Sequence, residues 1–570
     1  MYSVLQKRID KWSESKKALV EEQGGFREGR GTPDQVFSLV EMVRARAGMK
    51  TYCCFIDVRK AFDRVWRAGL WKQMWDIGVR GKMWRVVKNM YEEVVSCVKV
   101  GSDRTDWFGL DVGVRQGCVL SPILCSIFID GLAKELKKCR GGVRVDGLPV
   151  LLLLYADDIV LIAKNRRELQ KMLDVVTEYS RRWRFELNKK KSQVVIFGGK
   201  AEEAAFSLGG AQIKTVEEYK YLGMEMQAGR MWKKFKKSRL MKARMARVKA
   251  WSMALRAGIV SVKSGVRIWE SLVRPVIEFG SEVWGTEGDD DWREAEAEQR
   301  RMARIILGCS EKTANEVVLG ELGWQTIKGR RWAIRLTYWG KLVCMADSRL
   351  AKRIYNESRR RYENDGTTNW CSYTHRMMTE LKLEGVWERG SLGGMTMAAW
   401  KMLVSTQVEE WEEKRWREGI ERKPKLANYA KWKLTKGMEG YLTSGDIAEG
   451  VRMITRLRGG SNMLKLDQGR KEGLRREDRV CEVCGQEVED EEHFMLRCVR
   501  YRMGRRIMMR EVGEVMEETK KWLREGNWEK LMQVLLGEGG GAKRAEIMEI
   551  VKVYTRWAAH TRRKTLQMVG

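Results

Sequence analysis

The chain has 570 residues, with 109 Lys and Arg against 77 Asp and Glu, a formal net charge of +32. That length predicts about three to five domains or subdomains, and 44% hydrophobic residues with 24 Trp exclude a disordered or fibrous chain. The longest apolar runs, such as residues 150–156, fall far short of the ~20 residues a membrane helix needs, so no membrane partner is expected. Lys7, Arg8, Asp10 and Lys11 interrupt any signal-peptide core, and twelve cysteines are too sparse for a secreted disulfide scaffold. A large positive surplus on a Trp-rich chain points to nucleic acid.

In chain order, short β-branched or aromatic runs at 52–58, 150–163 and 193–197 alternate with amphipathic helical stretches such as 166–179. Beyond Pro424, the last of five prolines, good helix formers dominate. The pattern predicts an α+β half followed by an α-rich half. Residues 230–267 carry 13 basic side chains and no acidic one. With no interspersed Glu to make i,i+4 pairs, those charges repel unless an anion neutralises them. A solvated face is the plain alternative; phosphate-backbone binding is the functional one. Glycine-rich breaks at 390–394 and 537–541 read as hinges or linkers.

The sharpest feature is Leu151-Leu152-Leu153-Leu154-Tyr155-Ala156-Asp157-Asp158-Ile159-Val160-Leu161-Ile162. Two carboxylates in the middle of an apolar run cannot be a simple buried strand, because burying them unpaired costs several kcal/mol. A β-hairpin with the Asp pair at its tip resolves the conflict, either as turn chemistry alone or as a cation site. A second apolar strand, 52–58, carries the isolated Asp57. On neighbouring strands, Asp57 and Asp157 could share hard divalent cations, and two of them ~3.5–4 Å apart would clamp the oxygens of a phosphoryl transfer.

Cys481-x2-Cys484-x8-His493-x4-Cys498 offers four ligands within 18 residues, either a closed structural zinc site with no position left for a catalytic water or a set of unligated thiols. The acidic stretch 487–492 argues against phosphate binding by this knuckle, leaving Arg470, Lys471, Arg475 and Arg476 for that task. His375 and His560 lack sequence partners, and the Trp residues (232, 251, 269, 284, 324, 332, 339) read mainly as helix-interface fillers. No acidic nuclease cluster follows Cys498.

Six segments in order between residues 23 and 223 carry a family resemblance. Phe55-Ile56-Asp57-Val58-Arg59-Lys60-Ala61-Phe62-Asp63 resembles the first palm motif of reverse transcriptases, and Tyr155-Ala156-Asp157-Asp158 their second acidic motif. Gly113-Val114-Arg115-Gln116-Gly117-Cys118-Val119-Leu120-Ser121-Pro122 is similar to their Gln-Gly…Ser-Pro segment. Gln23-Gly24-Gly25-Phe26-Arg27-Glu28-Gly29-Arg30-Gly31-Thr32 resembles the fingers motif of non-LTR retrotransposon and group II intron enzymes. Residues 187–192 and 219–223 resemble the two remaining palm motifs, and the Cys3His cluster resembles the C-terminal knuckle of non-LTR retrotransposon proteins.

The resemblance implies a right-hand polymerase of the LINE type. It has partial fingers and palm over 1–228, a basic helical thumb over 229–310, and an α-rich connecting region over 311–475. A zinc knuckle over 476–503 and a helical tail over 504–570 complete it. Asp57, Asp157 and Asp158 would hold two Mg²⁺, Asp158 least directly, and one structural Zn²⁺ would sit on Cys481, Cys484, His493 and Cys498. Phe62 would exclude a 2′-OH from the incoming sugar, or fill the core; Gln116 and Gly117 would border the templating pair. Lys191 would protonate pyrophosphate, with Lys189 and Lys190 as competitors or the whole run merely solvated. Arg27 and Arg30 would hold triphosphate or template backbone, or serve structurally. Tyr219, Lys220, Tyr221, Leu222 and Gly223 would form a primer grip, or an ordinary hairpin, and Asp63 would pair locally. The implied activity is RNA-directed DNA polymerisation from dNTPs on an RNA template, primed by a DNA 3′-OH in a nicked chromosomal target, with nuclear action expected. An inactive RNA-binding remnant and a group II intron maturase are the alternatives. The fingers motif begins at Gln23, so a chain truncated of earlier fingers strands and of an endonuclease is expected.

Overall fold

A computed structural model of the chain describes residues 2–198, 205–229, 231–284, 292–443, 448–460 and 463–569. They divide into two units: Met1–Ser238 with Gly280–Thr286 and Arg335–Trp400, and Arg239–Phe279 with Glu287–Ile334 and Lys401–Gly570.

The first unit is built on a six-stranded sheet. Its strands are β1 (Thr51–Ile56), β2 (Leu152–Tyr155), β3 (Asp158–Ala163), β4 (Gln193–Phe197), β5 (Phe206–Leu208) and β6 (Ala211–Thr215), in the order β5-β6-β4-β1-β3-β2. All six residues of β1 are buried, which is why its sequence is continuously apolar rather than alternating. Its register is set on both sides: Cys54 lies opposite Val194 of β4 and opposite Leu161 of β3. A separate hairpin, β7 (Glu218–Tyr221) and β8 (Met224–Gln227), follows.

Helices α1 (Tyr2–Ser15), α2 (Thr32–Arg44), α3 (Ser121–Leu136) and α4 (Arg166–Arg182) accompany the sheet. Asn165 caps α4 by accepting the Glu168 amide, and Leu169, Met172, Leu173, Val176 and Tyr179 form its buried stripe at helical spacing. Each such side chain contributes about 1.5–3 kcal/mol on burial. That stripe joins Tyr52, Cys54 and Ile56 of β1 in one core, leaving Phe55 to the other face of the sheet. Later segments of this unit tie to α2 by ion pairs and hydrogen bonds, Lys341 Nζ to Asp34 at 3.0 Å and Ser358 Oγ to Glu41 at 2.5 Å. His375, partnerless in sequence, lies against Trp387 with ring centroids 4.9 Å apart and shares a hydrogen bond with the Tyr362 hydroxyl.

The second unit is helical. After Gln227 the described residues contain isolated bridges but no strand, in keeping with the helix-forming composition. α5 (Lys233–Arg256), which begins in the first unit, carries 10 of the 13 basic residues of the run, and α6 (Arg544–Val569) closes the chain. At the unit's centre the buried Arg458 guanidinium pairs with Glu321 at 3.0 Å and Glu439 at 2.9 Å. Of the seven tryptophans read as interface fillers, Trp232, Trp269, Trp284, Trp324, Trp332 and Trp339 are buried. Among the described residues no helix is long and apolar enough to cross a membrane.

Candidate active site

Strands β2 and β3 form the expected hairpin. Tyr155 pairs with Asp158, so Ala156 and Asp157 make a two-residue turn, with Ala156 at φ +59°. What holds this turn comes from the Gln23-Gly24-Gly25 segment. Oε1 of Gln23 accepts the amides of Ala156 at 3.1 Å and Gly25 at 2.9 Å, while the Gly24 amide donates to the Leu154 carbonyl at 2.8 Å. A Cβ on Gly25 would sit 2.2 Å from the Ala156 nitrogen, so only glycine permits the approach.

Asp57 follows β1 directly, and the pairing of Ile56 with Ile159 brings it beside Asp158. Its carboxylate accepts Nδ2 of Asn188 at 2.8 Å, its amide donates to Ser192 Oγ at 3.2 Å, and its carbonyl accepts the Asn188 amide at 2.8 Å. The 187–192 segment thus orients the first carboxylate. Burial, then the charges of Asp157 and Asp57, push the Asp158 carboxyl up to about 6. Burial and Asp57 raise Asp157 as well. Asp57, just past β1, thus adds its charge to the half-buried Asp157 and Asp158 at the hairpin tip.

The hairpin β7–β8 turns at Leu222 (φ +45°) and Gly223 (φ +85°). Tyr219 stacks on Phe55, centroids 4.3 Å apart, on the sheet face that also carries Asp57. Burial, followed by Asp158 and Asp57, pushes its hydroxyl up to about 12. Tyr221 is buried, and Lys220 is exposed.

Phe62 packs partly against the core and meets the half-exposed Phe26 edge-on, centroids 6.4 Å apart at 81°. The Val114 amide donates to the Phe62 carbonyl at 2.8 Å, tying the Gln-Gly segment to the first palm motif. Gln116 Nε2 donates to Asp63 Oδ1 at 2.8 Å, so the partner of Asp63 lies 53 residues along the chain rather than nearby in sequence. Gly117 has φ +79° and open space where a Cβ would point, so its backbone conformation, rather than a protein neighbour, is what demands glycine. Lys189 donates Nζ to the Gly209 carbonyl at 2.7 Å, whereas Lys190 and Lys191 are exposed.

Arg27 and Arg30 are both engaged with acids. The Arg27 side chain is 3% exposed; it pairs with Glu14 at 2.5 Å and donates to the carbonyls of Val20 at 2.7 Å and Gln23 at 3.0 Å. Arg30 pairs with Glu21 at 2.5 and 2.7 Å. Both guanidiniums are turned inward onto acids of the preceding segment, where they anchor the fingers loop.

The basic run is also less bare than its composition implies. Lys234 pairs with Glu218, and Glu298 pairs with Arg247 and, at 3.5 Å, with Arg244. Lys237, Lys249, Arg256, Lys263 and Arg267 remain exposed. Arg230, the first residue of the run, lies outside the described residues.

In the second unit, ligand atoms of Cys481, Cys484, His493 and Cys498 all lie within 4.8 Å of one another, a group able to hold a metal ion. Nδ1 of His493 lies 3.1 Å from a Glu487 oxygen, a contact that holds the imidazole in place. The acidic stretch has further internal work. Glu489 is buried and receives Arg562 of α6 through two bonds of 2.9 and 2.8 Å. Sequence spacing located the four ligands but not these partners.

Residues 1–226 match the family model for reverse transcriptase (RNA-dependent DNA polymerase). The RNA-directed DNA polymerase from mobile element jockey of Drosophila melanogaster is 28% identical over 304 residues, 51% of this chain and 32% of that protein. The probable RNA-directed DNA polymerase from transposon X-element of the same species is 26% identical over 332 residues, 56% and 35%. The chain spans about a third of the length of these relatives. A solved telomerase from Candida tropicalis in complex with a TWJ fragment of telomeric RNA is 15% identical over 71% of this chain and 56% of that one, with a TM-score of 0.33. Asp57, Asp157 and Asp158 thus lie inside a 226-residue region that is similar to reverse transcriptase domains, among them those of the mobile elements jockey and X-element.

Proposed function

We propose that the chain is an RNA-directed DNA polymerase that adds dNTPs to a DNA 3′-OH on an RNA template. The observation that carries this reading is the convergence of Asp57, Asp157 and Asp158 on one end of the sheet, within a reverse transcriptase domain. Asp57 and Asp157 would hold two Mg²⁺, with Asp158 less direct; ions held there would supply activation of the primer hydroxyl and neutralisation of the leaving pyrophosphate. Phe62 bounds the sugar subsite and excludes a 2′-OH. Gln116, fixed by Asp63, and the open backbone at Gly117 border the templating pair. Lys191 gives a proton to the departing pyrophosphate, since Lys189 is engaged elsewhere. The turn 219–223 grips the primer strand.

Residues 229–310 act as the thumb, with the exposed lysines and arginines of α5 and its successors on phosphates. Zn²⁺ at Cys481, Cys484, His493 and Cys498 completes the knuckle structurally. The test is primer extension by the purified chain on RNA and DNA templates of one sequence with Mg²⁺: extension on RNA supports the reading. A binding-only protein draws on one observation, the ion pairing of Arg27 and Arg30. It would be favoured by salt-sensitive RNA binding without extension.

A further inference from the structure

We propose that Phe26 is a positioning residue for sugar selection: its ring holds the Phe62 ring against the incoming nucleotide. The inference rests on the polymerase reading. Phe26 sits at φ +57°, a left-handed conformation costly for a bulky side chain, and the residue is 47% exposed. The backbone on both sides imposes this. Gly25 is pressed onto the Ala156 amide, donates to Gln23 and accepts Ser126 Oγ at 3.3 Å. Arg27 is pinned by Glu14, Val20 and Gln23. Glycine would take this φ without strain, and a half-exposed ring gains little from burial. What the phenyl group does make is the 6.4 Å edge-to-face contact with Phe62, five residues beyond Asp57. The segment that clamps the catalytic turn through Gln23 therefore also sets the orientation of the sugar-facing ring through its third successor.

The test compares kcat/KM for dATP and ATP on a poly(rU) template with an oligo(dA) primer, using the full chain. Phe26→Gly should lower the dATP preference about tenfold while the thermal midpoint stays level or rises, a combination that a merely structural role does not produce. Phe26→Tyr should keep the wild-type ratio. Phe62→Val is the control and should collapse the preference. A Phe26→Gly ratio equal to wild type, with Phe62→Val collapsed, overturns the role of Phe26 alone. A Phe62→Val ratio equal to wild type removes the sugar gate and this inference with it. Absence of extension by the wild-type chain overturns the polymerase reading itself, and the inference falls with it.

Discussion

The side-chain oxygen of Gln23 accepts the amide of Ala156 at 3.1 Å, across 133 residues of chain. Through that bond the fingers loop sets the backbone that presents Asp157. Gln23 is fully buried, so Gln23→Ala strands the Ala156 and Gly25 amides without an acceptor. The expected loss is about 1–3 kcal/mol of stability, measured by denaturant unfolding, with reduced extension. A variant as stable as wild type would dissociate the loop from the turn.

Gly25→Ala should be worse. Its Cβ would lie 2.2 Å from the Ala156 nitrogen, a backbone atom that cannot swing aside. Overpacking of this kind costs roughly 1–3 kcal/mol or more, and displacing the turn by ~1 Å should cut the extension rate about 100-fold. Single-turnover extension beside a melting curve separates the two effects.

Burial and its acidic neighbours raise the Asp158 carboxyl from 3.8 to about 6. The native state therefore holds that proton more tightly than the unfolded chain. The stabilisation from this group is full below pH ~4 and lost as pH rises through ~6. At pH 7.5 without divalent cations, Asp158→Asn should accordingly raise stability, on the order of 1 kcal/mol after solvent screening. Mg²⁺ should raise the wild-type midpoint and shrink that difference. An equal or lower midpoint for Asp158→Asn in chelator would contradict the mutual repulsion of the three carboxylates.

For the knuckle, one zinc per chain is expected by elemental analysis, lost in Cys481→Ser. Arg562→Ala leaves the buried Glu489 unpaired. That should cost about 3–5 kcal/mol and open the 476–503 segment to protease. Unchanged proteolysis would show that α6 does not secure the knuckle.

The sequence made legible whatever is written locally. Apolar runs predicted β1, the β2–β3 hairpin and β4; the adjacent acids predicted the hairpin tip; cysteine and histidine spacing predicted the metal-binding group. Features that depend on distant partners were not legible. Asn188 orients Asp57, and Glu298 neutralises Arg244 and Arg247 from about fifty residues away. No i,i+4 rule finds such pairs. Arg27 and Arg30 sit in the family motif, yet Glu14 and Glu21 on the N-terminal side take up their charge. The acidic stretch 487–492 read as a surface hostile to phosphate, but Glu489 turns inward because Arg562 waits in α6.

Asp57, Asp157 and Asp158 are proposed here as the metal site of an RNA-templated polymerase. The most direct measurement is Mg²⁺-dependent extension of oligo(dT) on poly(rA) with dTTP, by the wild-type chain and by Asp157→Ala/Asp158→Ala. The wild type should extend the primer, and extension should vanish in the double variant while the fold, followed by circular dichroism, is retained. Extension that survives in the folded double variant would contradict that assignment.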